Sequence, residues 1–338
     1  MRLSPEQLGQ LHRAELIALI RTRWGEVGGD AGSYPAGAAL HDDSTGWILT
    51  LGAGPRALGG ALVWAAAKGV SALHVFVDSD AGVLARQATR FDRDITVWQI
   101  DEAQLAAADP EPVAPEASPS ADAQVLAREL EVAGLDVVVE SGIVRAEVLG
   151  LEIARVIEGP HHSNDADLGP ASSAHLEAGV GRFDREMSAL MHRGEPPMDA
   201  VIAAADTVRI HRHRGAPPHP LRDLCRERWI RHSLMAEPGA VGATQLEPIG
   251  TTLDRPNLRD PWPALAVGES LAGSPLVVAC TVGIDLDALV LAADTRAVMS
   301  PDAELVMASP EPLPASVRAV SGWLARPARF VEIAAPWE

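Results

Sequence analysis

The sequence predicts an α/β protein whose two ends share one strand–helix–strand–helix–strand plan and flank an α+β middle domain. Two observations favour this fold class. Short apolar runs alternate with helix-length segments near both ends, which is typical of parallel strands covered by helices. The 338 residues are 47% hydrophobic, which is enough to bury one large core or two smaller ones.

The N-terminal region begins with an amphipathic helix over residues 8–24, where leucine and isoleucine recur at helical spacing after Ser4 and Pro5. A glycine-rich loop is predicted at 25–37. The α/β unit follows, with strands at 47–51, 72–77 and 95–100 and helices at 56–68 and 82–91. Residues 1–108 are therefore predicted to form a Rossmann-like domain.

The C-terminal region repeats this plan. Strands are predicted at 276–280, 303–308 and 328–333, and helices at 288–299 and 314–324. The best internal match sets strand 72–77 beside strand 303–308. Either a Rossmann-like unit was duplicated or a common motif recurs independently, and both explanations stay open. Residues 241–338 are read as a connector followed by this second Rossmann-like unit.

The middle of the chain is expected to form a separate α+β domain. A stretch rich in Pro, Ala, Glu and Ser at 109–120 predicts a linker, and the domain follows at 121–240. Strands are predicted at 135–140, 143–158 and 175–180, and helices at 122–133, 183–192, 198–211 and 220–235. The proline-rich segment 245–267 is expected to cross the surface as a connector.

The net charge of the chain restricts the classes of molecule that it is expected to bind. The 28 Lys and Arg residues face 46 Asp and Glu residues, which gives a formal net charge of −18. Phosphate contacts supply most non-specific affinity for nucleic acids, so general DNA or RNA binding is disfavoured, although a local basic site stays open. Aromatic residues make up only 4%, so platforms for base stacking are scarce as well.

The chain is expected to be a soluble cytoplasmic protein without a membrane partner. No apolar run reaches the roughly 18 residues of a membrane-spanning helix. The N-terminus lacks the apolar segment of a signal peptide. Cys225 and Cys280 lie far apart without a CxxC spacing, which favours reduced thiols over a disulfide or a zinc site.

A glycine-rich turn follows the first strand of the N-terminal unit and is a candidate ligand site. Gly52 and Gly54 would let the backbone approach a phosphate at the N-terminus of the next helix, and Arg56 would add a charged donor. Pro55 removes one backbone donor, and the spacing matches neither Rossmann nor P-loop signatures. A plain tight turn is the alternative.

Glutamates recur on the predicted middle strands, at Glu140, Glu147, Glu152 and Glu177. Alternation along the predicted strand 143–158 places Glu152 on the same face as Val144 and Val156. A carboxylate on an apolar face needs a partner, a proton or a metal ion. The four residues are therefore candidate ligands of a divalent metal, with unrelated strand glutamates as the alternative.

The helix–strand–strand–strand–helix order of residues 122–192 resembles the core of the PD-(D/E)XK nucleases. The resemblance implies a metal-dependent nuclease whose metal would be held by these glutamates. The lysine of that family has no counterpart, because Lys68 lies elsewhere and the segment 152–155 ends in Arg155. Arginine stays protonated and substitutes poorly for that lysine, so the alternative takes the form of a divergent or inactive relative.

Basic residues concentrate between positions 209 and 232, against the strongly acidic background. The arginines there are Arg209, Arg212, Arg214, Arg222, Arg226, Arg228 and Arg231. Arg209, Arg212 and Arg226 are taken as candidate ligand-binding residues. The patch would pair internally with carboxylates or stay solvated, bind a phosphate, or hold an acidic partner, and these interpretations all stay open.

The leading hypothesis is that the protein binds an anionic small ligand, either a nucleotide or a phosphorylated metabolite. The alternatives are the divergent nuclease and a non-catalytic scaffold or interaction protein. Segments 150–156, 181–186 and 255–261 make the whole chain resemble a conserved protein family of high-GC actinobacteria. That resemblance implies no particular activity.

Overall fold

The computed structural model describes residues 4–101, 104–159, 174–191 and 197–338. As the sequence predicts, the fold is mixed α/β, and these ranges contain three separate β-sheets. None of the helices in the same ranges combines the length and the apolarity that a bilayer crossing requires.

The regular elements alternate along most of the chain. The helices are α1 (Pro5–Trp24), α2 (Leu58–Lys68), α3 (Ala81–Ala88), α4 (Ala121–Val132), α5 (Gly181–Met191), α6 (Pro197–His211), α7 (Pro220–Asp223), α8 (Arg226–Ala236), α9 (Ala288–Met299) and α10 (Ala315–Ser321). The strands are β1 (Gly32–Tyr34), β2 (Gly37–His41), β3 (Thr45–Thr50), β4 (Ala72–Val77), β5 (Asp94–Asp101), β6 (Gln104–Ala107), β7 (Asp136–Glu140), β8 (Ile143–Val148), β9 (Leu151–Glu158), β10 (Ala174–Ala178), β11 (Ala243–Ile249), β12 (Ala264–Ser270), β13 (Pro275–Cys280), β14 (Glu304–Ser309) and β15 (Ala328–Glu332).

The chain forms two compact units, and each is built from several stretches of sequence. The first unit comprises Met1–Val113, Leu286–Pro301 and Leu313–Ala328. The second unit comprises Ala114–Asp285, Asp302–Pro312 and Arg329–Glu338. The helices α9 and α10 thus belong to the first unit, although the strands β13 and β14 around them in sequence belong to the second.

The first unit is built on the six-stranded sheet β1–β6. Strands β3, β4 and β5 are parallel neighbours, whereas β1, β2 and β6 join antiparallel. Helix α1 begins with a capping box, in which Ser4 and Gln7 exchange side-chain and backbone hydrogen bonds. It packs on β2 and β3 and buries Leu16 and Ile20 against an aromatic core that includes Trp47.

Four helices pack together elsewhere in the first unit: α2 lies against α9 and α10, and α3 lies against α9. Gly59 permits the closest approach, because a Cβ atom there would stand 2.2 Å from the carbonyl oxygen of Leu286. The Gly59 amide also donates to the Asp287 carboxylate at 2.7 Å. After α3 and α10, Phe91 and Leu324 form a reciprocal antiparallel bridge.

The second unit contains the antiparallel sheet β10–β9–β8–β7 and the mixed sheet β11–β15. One face of the first of these sheets is apolar, and helices α4 and α6 cover it. Its core includes Leu130 on α4, Val201 on α6 and Ile153 on β9. Helix α8 packs on β11, β12 and β13 of the second sheet.

Four local predictions are wrong. The glycine-rich segment 25–37, predicted as a loop, contains β1 and the first residue of β2. Residues 143–158 form a hairpin and not a single strand, because Leu149 and Gly150 both adopt positive φ and reverse the chain. The predicted connector 245–267 carries β11 and β12 at its ends. The helix predicted at 220–235 is broken at Cys225, whose left-handed backbone separates α7 from α8.

Candidate functional site

The second face of the sheet β7–β10 carries charged side chains. Because each strand alternates and the register pairs Asp136 with Glu147 and Val138 with Arg145, acidic and basic residues fall on the same side. A bulge beside Ala146 then pairs Glu147 with Glu152. The residues that share this face are Asp136, Glu140, Arg145, Glu147, Glu152, Arg155 and Glu177.

Glu152 accepts hydrogen bonds from three arginines. Its carboxylate lies 3.0 Å from Nε of Arg145, 2.7 Å from Nη2 of Arg155 and 3.0 Å from Nη1 of Arg185. Arg145 comes from the neighbouring strand β8, Arg155 lies on β9 like Glu152 itself, and Arg185 comes from α5. Like charges directly opposite each other destabilise a sheet, so the Arg145–Arg155 and Glu147–Glu152 pairs rely on these alternating partners.

Glu140 and Glu147 are held by α8. Arg228 and Arg231 each contact both carboxylates. Arg228 lies 3.0 Å from Glu147, and both arginines make short contacts with Glu140. All four side chains are buried. The acidic strands and the arginine-rich helix of the sequence therefore meet in one ionic cluster, which we call the arginine–glutamate network: Glu140, Glu147, Glu152, Arg145, Arg155, Arg185, Arg228 and Arg231.

The network keeps the carboxylates of Glu140 and Glu152 ionised. Burial raises the pKa of Glu140, but Arg228, Arg231 and Arg145 lower it by more, and the resulting pKa is about 2. The pKa of Glu152 is also lowered, since the pull of Arg155 and Arg145 outweighs the effect of burial. Both groups are therefore negatively charged throughout the neutral range.

This pKa of Glu140 predicts a specific acid sensitivity. The folded pKa of about 2 lies below the ordinary value of 4.5, so the stabilisation is fully present above pH 4.5 and is lost as the pH falls towards 2. The loss is on the order of 3 kcal/mol. Urea unfolding followed between pH 5 and pH 2.5 should show a shallower pH dependence for Glu140→Gln than for the unmodified protein.

Glu186→Gln, at an exposed glutamate of α5, is the control and should leave the dependence unchanged. Equal slopes for Glu140→Gln and the unmodified protein would contradict the assignment.

A cavity of about 220 Å³ opens beside the network. The arginines in its wall are Arg145, Arg155, Arg228 and Arg255. Ser141, Thr251, Asp254 and Trp262 add polar groups and one aromatic ring. The segment between Thr251 and Trp262 closes on itself, because the indole nitrogen of Trp262 donates to the Thr251 hydroxyl at 3.0 Å.

Two guanidinium groups of the cavity wall keep an N–H group uncommitted. Arg155 uses Nε and Nη2 on Glu152, and Arg145 uses Nε on Glu152 and Nη1 on the carbonyl of Glu140. Nη1 of Arg155 and Nη2 of Arg145 make no hydrogen bond to any residue that the structure describes. Arg255 differs, since it binds Glu227 and three backbone carbonyls. The cavity therefore presents cationic donors that an anion can bind.

Three of the four glutamates predicted as metal ligands belong to the arginine–glutamate network, and the fourth, Glu177, lies beside it. Glu140, Glu147 and Glu152 accept from arginines, and Glu177 lies 3.6 Å from Arg185 with a partly exposed side chain. Across the ranges described above, no group of three or more His, Cys, Asp and Glu side chains is arranged to hold a metal ion. The metal site remains a prediction.

The three arginines predicted as ligand-binding residues lie apart from the cavity wall. Arg209 is exposed and pairs with Asp206 on its own helix. Arg212 is buried and donates to five backbone carbonyls between residues 149 and 225, and burial lowers its pKa to about 10. Arg226 pairs with Asp223 and lies over the ring of Trp337. Arg212 thus ties α6 to the turn before α8.

The predicted glycine turn belongs to the first unit. Gly52 and Gly54 both have positive φ, and the amide of Gly52 donates to the Asp78 carboxylate at 2.9 Å. Residues 54–56 form a short 3-10 turn that includes Arg56 and precedes α2. The role of Gly52, Gly54 and Arg56 in ligand binding remains a prediction.

Sequence reasoning missed Arg145, Arg155 and Arg255 of the cavity wall, whereas Arg228 belongs to the basic stretch that the sequence analysis identified. Arg145 and Arg155 were available as a signal, since each stands two or three residues from a glutamate on a strand that is otherwise apolar. Arg255 carries no such signal, because it lies in a segment without regular structure. Comparisons of the chain with models of protein families, with curated proteins and with solved structures find no match.

Proposed function

We propose that the protein binds an anionic small ligand, a nucleotide or a phosphorylated metabolite, in the cavity of the second unit. The observation that carries the proposal is the pair of uncommitted guanidinium N–H groups, on Arg145 and Arg155, in the wall of that cavity. The chain has a net charge of −18, so a cavity wall with several arginines differs in charge from the protein as a whole.

The ion pairs behind the wall support the proposal. A guanidinium group that is already oriented by a carboxylate loses less side-chain entropy when a ligand arrives. Arg155 is oriented by Glu152, and Arg228 is oriented by Glu140 and Glu147. Arginine also matches the geometry of phosphate and carboxylate groups with two parallel hydrogen bonds. The network thus suits a preorganised anion site.

Thermal unfolding in the presence of anions tests this function. A ligand that binds only the native state at 100 times its Kd adds about 2.7 kcal/mol to the free energy of unfolding. We expect at least one member of a panel of nucleotides and sugar phosphates to raise Tm by several degrees at moderate ionic strength. Arg155→Gln should abolish this rise.

Arg209→Gln is the matched control, because Arg209 is exposed on α6 and lies outside the cavity wall. It should retain the full rise in Tm. The proposal fails if no anion of the panel stabilises the unmodified protein, or if Arg155→Gln folds and still responds as strongly as Arg209→Gln.

We also propose that the two ends are Rossmann-like units that arose by duplication. At each end, two antiparallel strands lead into the first strand of a strand–helix–strand–helix–strand run. These strands are β1 and β2 before β3 at one end, and β11 and β12 before β13 at the other. A helix precedes each run, α1 in one case and α8 in the other. The reciprocal bridge between Phe91 and Leu324, which follow α3 and α10, supports the same origin.

A further inference from the structure

The chemistry of the cavity wall narrows the ligand beyond a generic anion. We propose that the ligand is a small phosphomonoester that carries hydroxyl groups, of the size of a sugar phosphate and smaller than a nucleotide. This inference rests on the proposed function, because it assigns the ligand class of the same cavity.

The phosphate position is given by Arg145 and Arg155. The two residues are register partners on adjacent strands, so their Cβ atoms lie about 5 Å apart on one face of the sheet. Each directs part of its guanidinium to Glu152 and keeps one N–H group that no described residue accepts. Two adjacent guanidinium groups form a clamp for a tetrahedral oxyanion.

Counted alone, the network has two more arginines than glutamates, which matches the charge of a dianion; Asp254 of the cavity wall and Glu177 lie outside this count. The arginine–glutamate network combines five arginines with three buried glutamates, Glu140, Glu147 and Glu152. Glu177, at 3.6 Å from Arg185, offsets part of the remaining positive charge but has a side chain that is 41% exposed. A phosphomonoester carries a charge of about −1.5 to −2 at neutral pH, whereas a carboxylate carries only one negative charge.

The rest of the wall suits hydroxyl groups. Asp254 lines the cavity, and within the described part of the chain its carboxylate has no hydrogen-bond partner. The Ser141 hydroxyl is likewise uncommitted among those residues. Thr251 is already used, since it donates to the Leu253 carbonyl and accepts from Trp262. A carboxylate accepts hydrogen bonds from sugar hydroxyls and repels further phosphate groups.

Size and aromatic surface also disfavour a nucleotide. The cavity of about 220 Å³ falls below the roughly 300–1,000 Å³ that is usual for drug-sized ligands. Trp262 is the aromatic residue of the wall, and only 7% of it is exposed. A base would therefore find little ring surface for stacking.

Calorimetric titration of the full chain with ribose 5-phosphate, inorganic phosphate, AMP and ATP tests the inference. We expect ribose 5-phosphate to bind at least tenfold more tightly than inorganic phosphate, AMP or ATP. Asp254→Asn, at an exposed position, should weaken ribose 5-phosphate about tenfold and should not weaken inorganic phosphate. Arg155→Lys, which keeps the charge but loses the planar fork, should weaken both.

The outcomes separate this inference from the proposed function. If AMP or ATP binds more tightly than ribose 5-phosphate, the ligand class is wrong and the anion site stands. If Asp254→Asn leaves the affinity for ribose 5-phosphate unchanged, the hydroxyl assignment is wrong. If none of the four compounds binds, the inference and the proposed function both fail. Circular dichroism of Arg155→Lys verifies its fold, and Asp254→Asn provides the second variant if Arg155→Lys is unfolded.

Discussion

Replacing Arg231 with methionine is expected to lower the free energy of unfolding of the second unit by ~3–5 kcal/mol. The Arg231 side chain is almost fully buried and contacts both Glu140 and Glu147. Its removal leaves two buried carboxylates with Arg228 as their remaining close partner on α8, and an uncompensated buried charge is costly. Urea unfolding monitored by far-UV circular dichroism measures the loss.

A double variant separates the loss of the ion pair itself from the cost of leaving a buried carboxylate without its partner. In the double variant Arg231→Met, Glu140→Leu, one carboxylate is removed together with its guanidinium, and Arg228 and Glu147 remain as a pair at 3.0 Å. The double variant should be more stable than Arg231→Met, since removing both partners avoids an orphaned charge. Arg209→Met is the control and should change stability by less than about 1 kcal/mol. A loss in Arg231→Met no larger than in this control would contradict the importance of the network.

Gly150→Ala is expected to lower the free energy of unfolding by ~2–5 kcal/mol. Gly150 has φ of +77° in the turn between β8 and β9. A left-handed non-glycine residue costs ~1–2 kcal/mol. A Cβ atom there would also stand 2.3 Å from the carbonyl carbon of Arg228 and 2.7 Å from the amide nitrogen of Trp229. Backbone must move to relieve such a contact, which adds ~1–3 kcal/mol.

Gly134→Ala is the matched control for this prediction. Gly134 has φ of +75°, but a Cβ atom there would meet no atom within 4 Å. It should therefore show only the conformational cost of ~1–2 kcal/mol. Thermal and urea unfolding of both variants provide the comparison. Equal losses would mean that the hairpin turn and α8 are not packed as closely as the structure has them.

The alternation of strands and helices at both ends could be predicted from apolar runs and glycine turns, because those signals are local. Sheet register and the contacts of α8 with the sheet could not be predicted, since they depend on tertiary packing: Arg228 of α8 and Glu140 of β7 are 88 residues apart. The turn at Leu149 was also missed, because a leucine with positive φ gives no compositional signal and the apolar pattern runs on through it. Those two features together decide which charges share a face.

The charged residues of the candidate site could be predicted from the sequence, but the contacts between them could not. The glutamates on the middle strands and the arginine-rich helix were both evident from composition, and the structure brings Glu140 and Glu147 to Arg228 and Arg231. Arg209, Arg212 and Arg226 belong to the same basic stretch but have other partners: Arg209 lies on α6 and pairs with Asp206, Arg212 follows α6 and binds backbone carbonyls, and Arg226 pairs with Asp223. Within that basic stretch, Arg228 and Arg231 on α8 are the residues that pair with the sheet glutamates Glu140 and Glu147.

The placement of α9 and α10 in the first unit has a consequence for biosynthesis. Helices α2 and α3 leave the ribosome long before their packing partners α9 and α10, which come much later in the sequence. At a translation rate of 5–20 residues per second, the delay is on the order of ten seconds to a minute. During that interval the apolar surface of α2 that α10 will cover stays open to other nascent chains and to chaperones. A chain that stops short of residue 313 would keep it open permanently, so a stop codon before that residue exposes a helix that was translated much earlier.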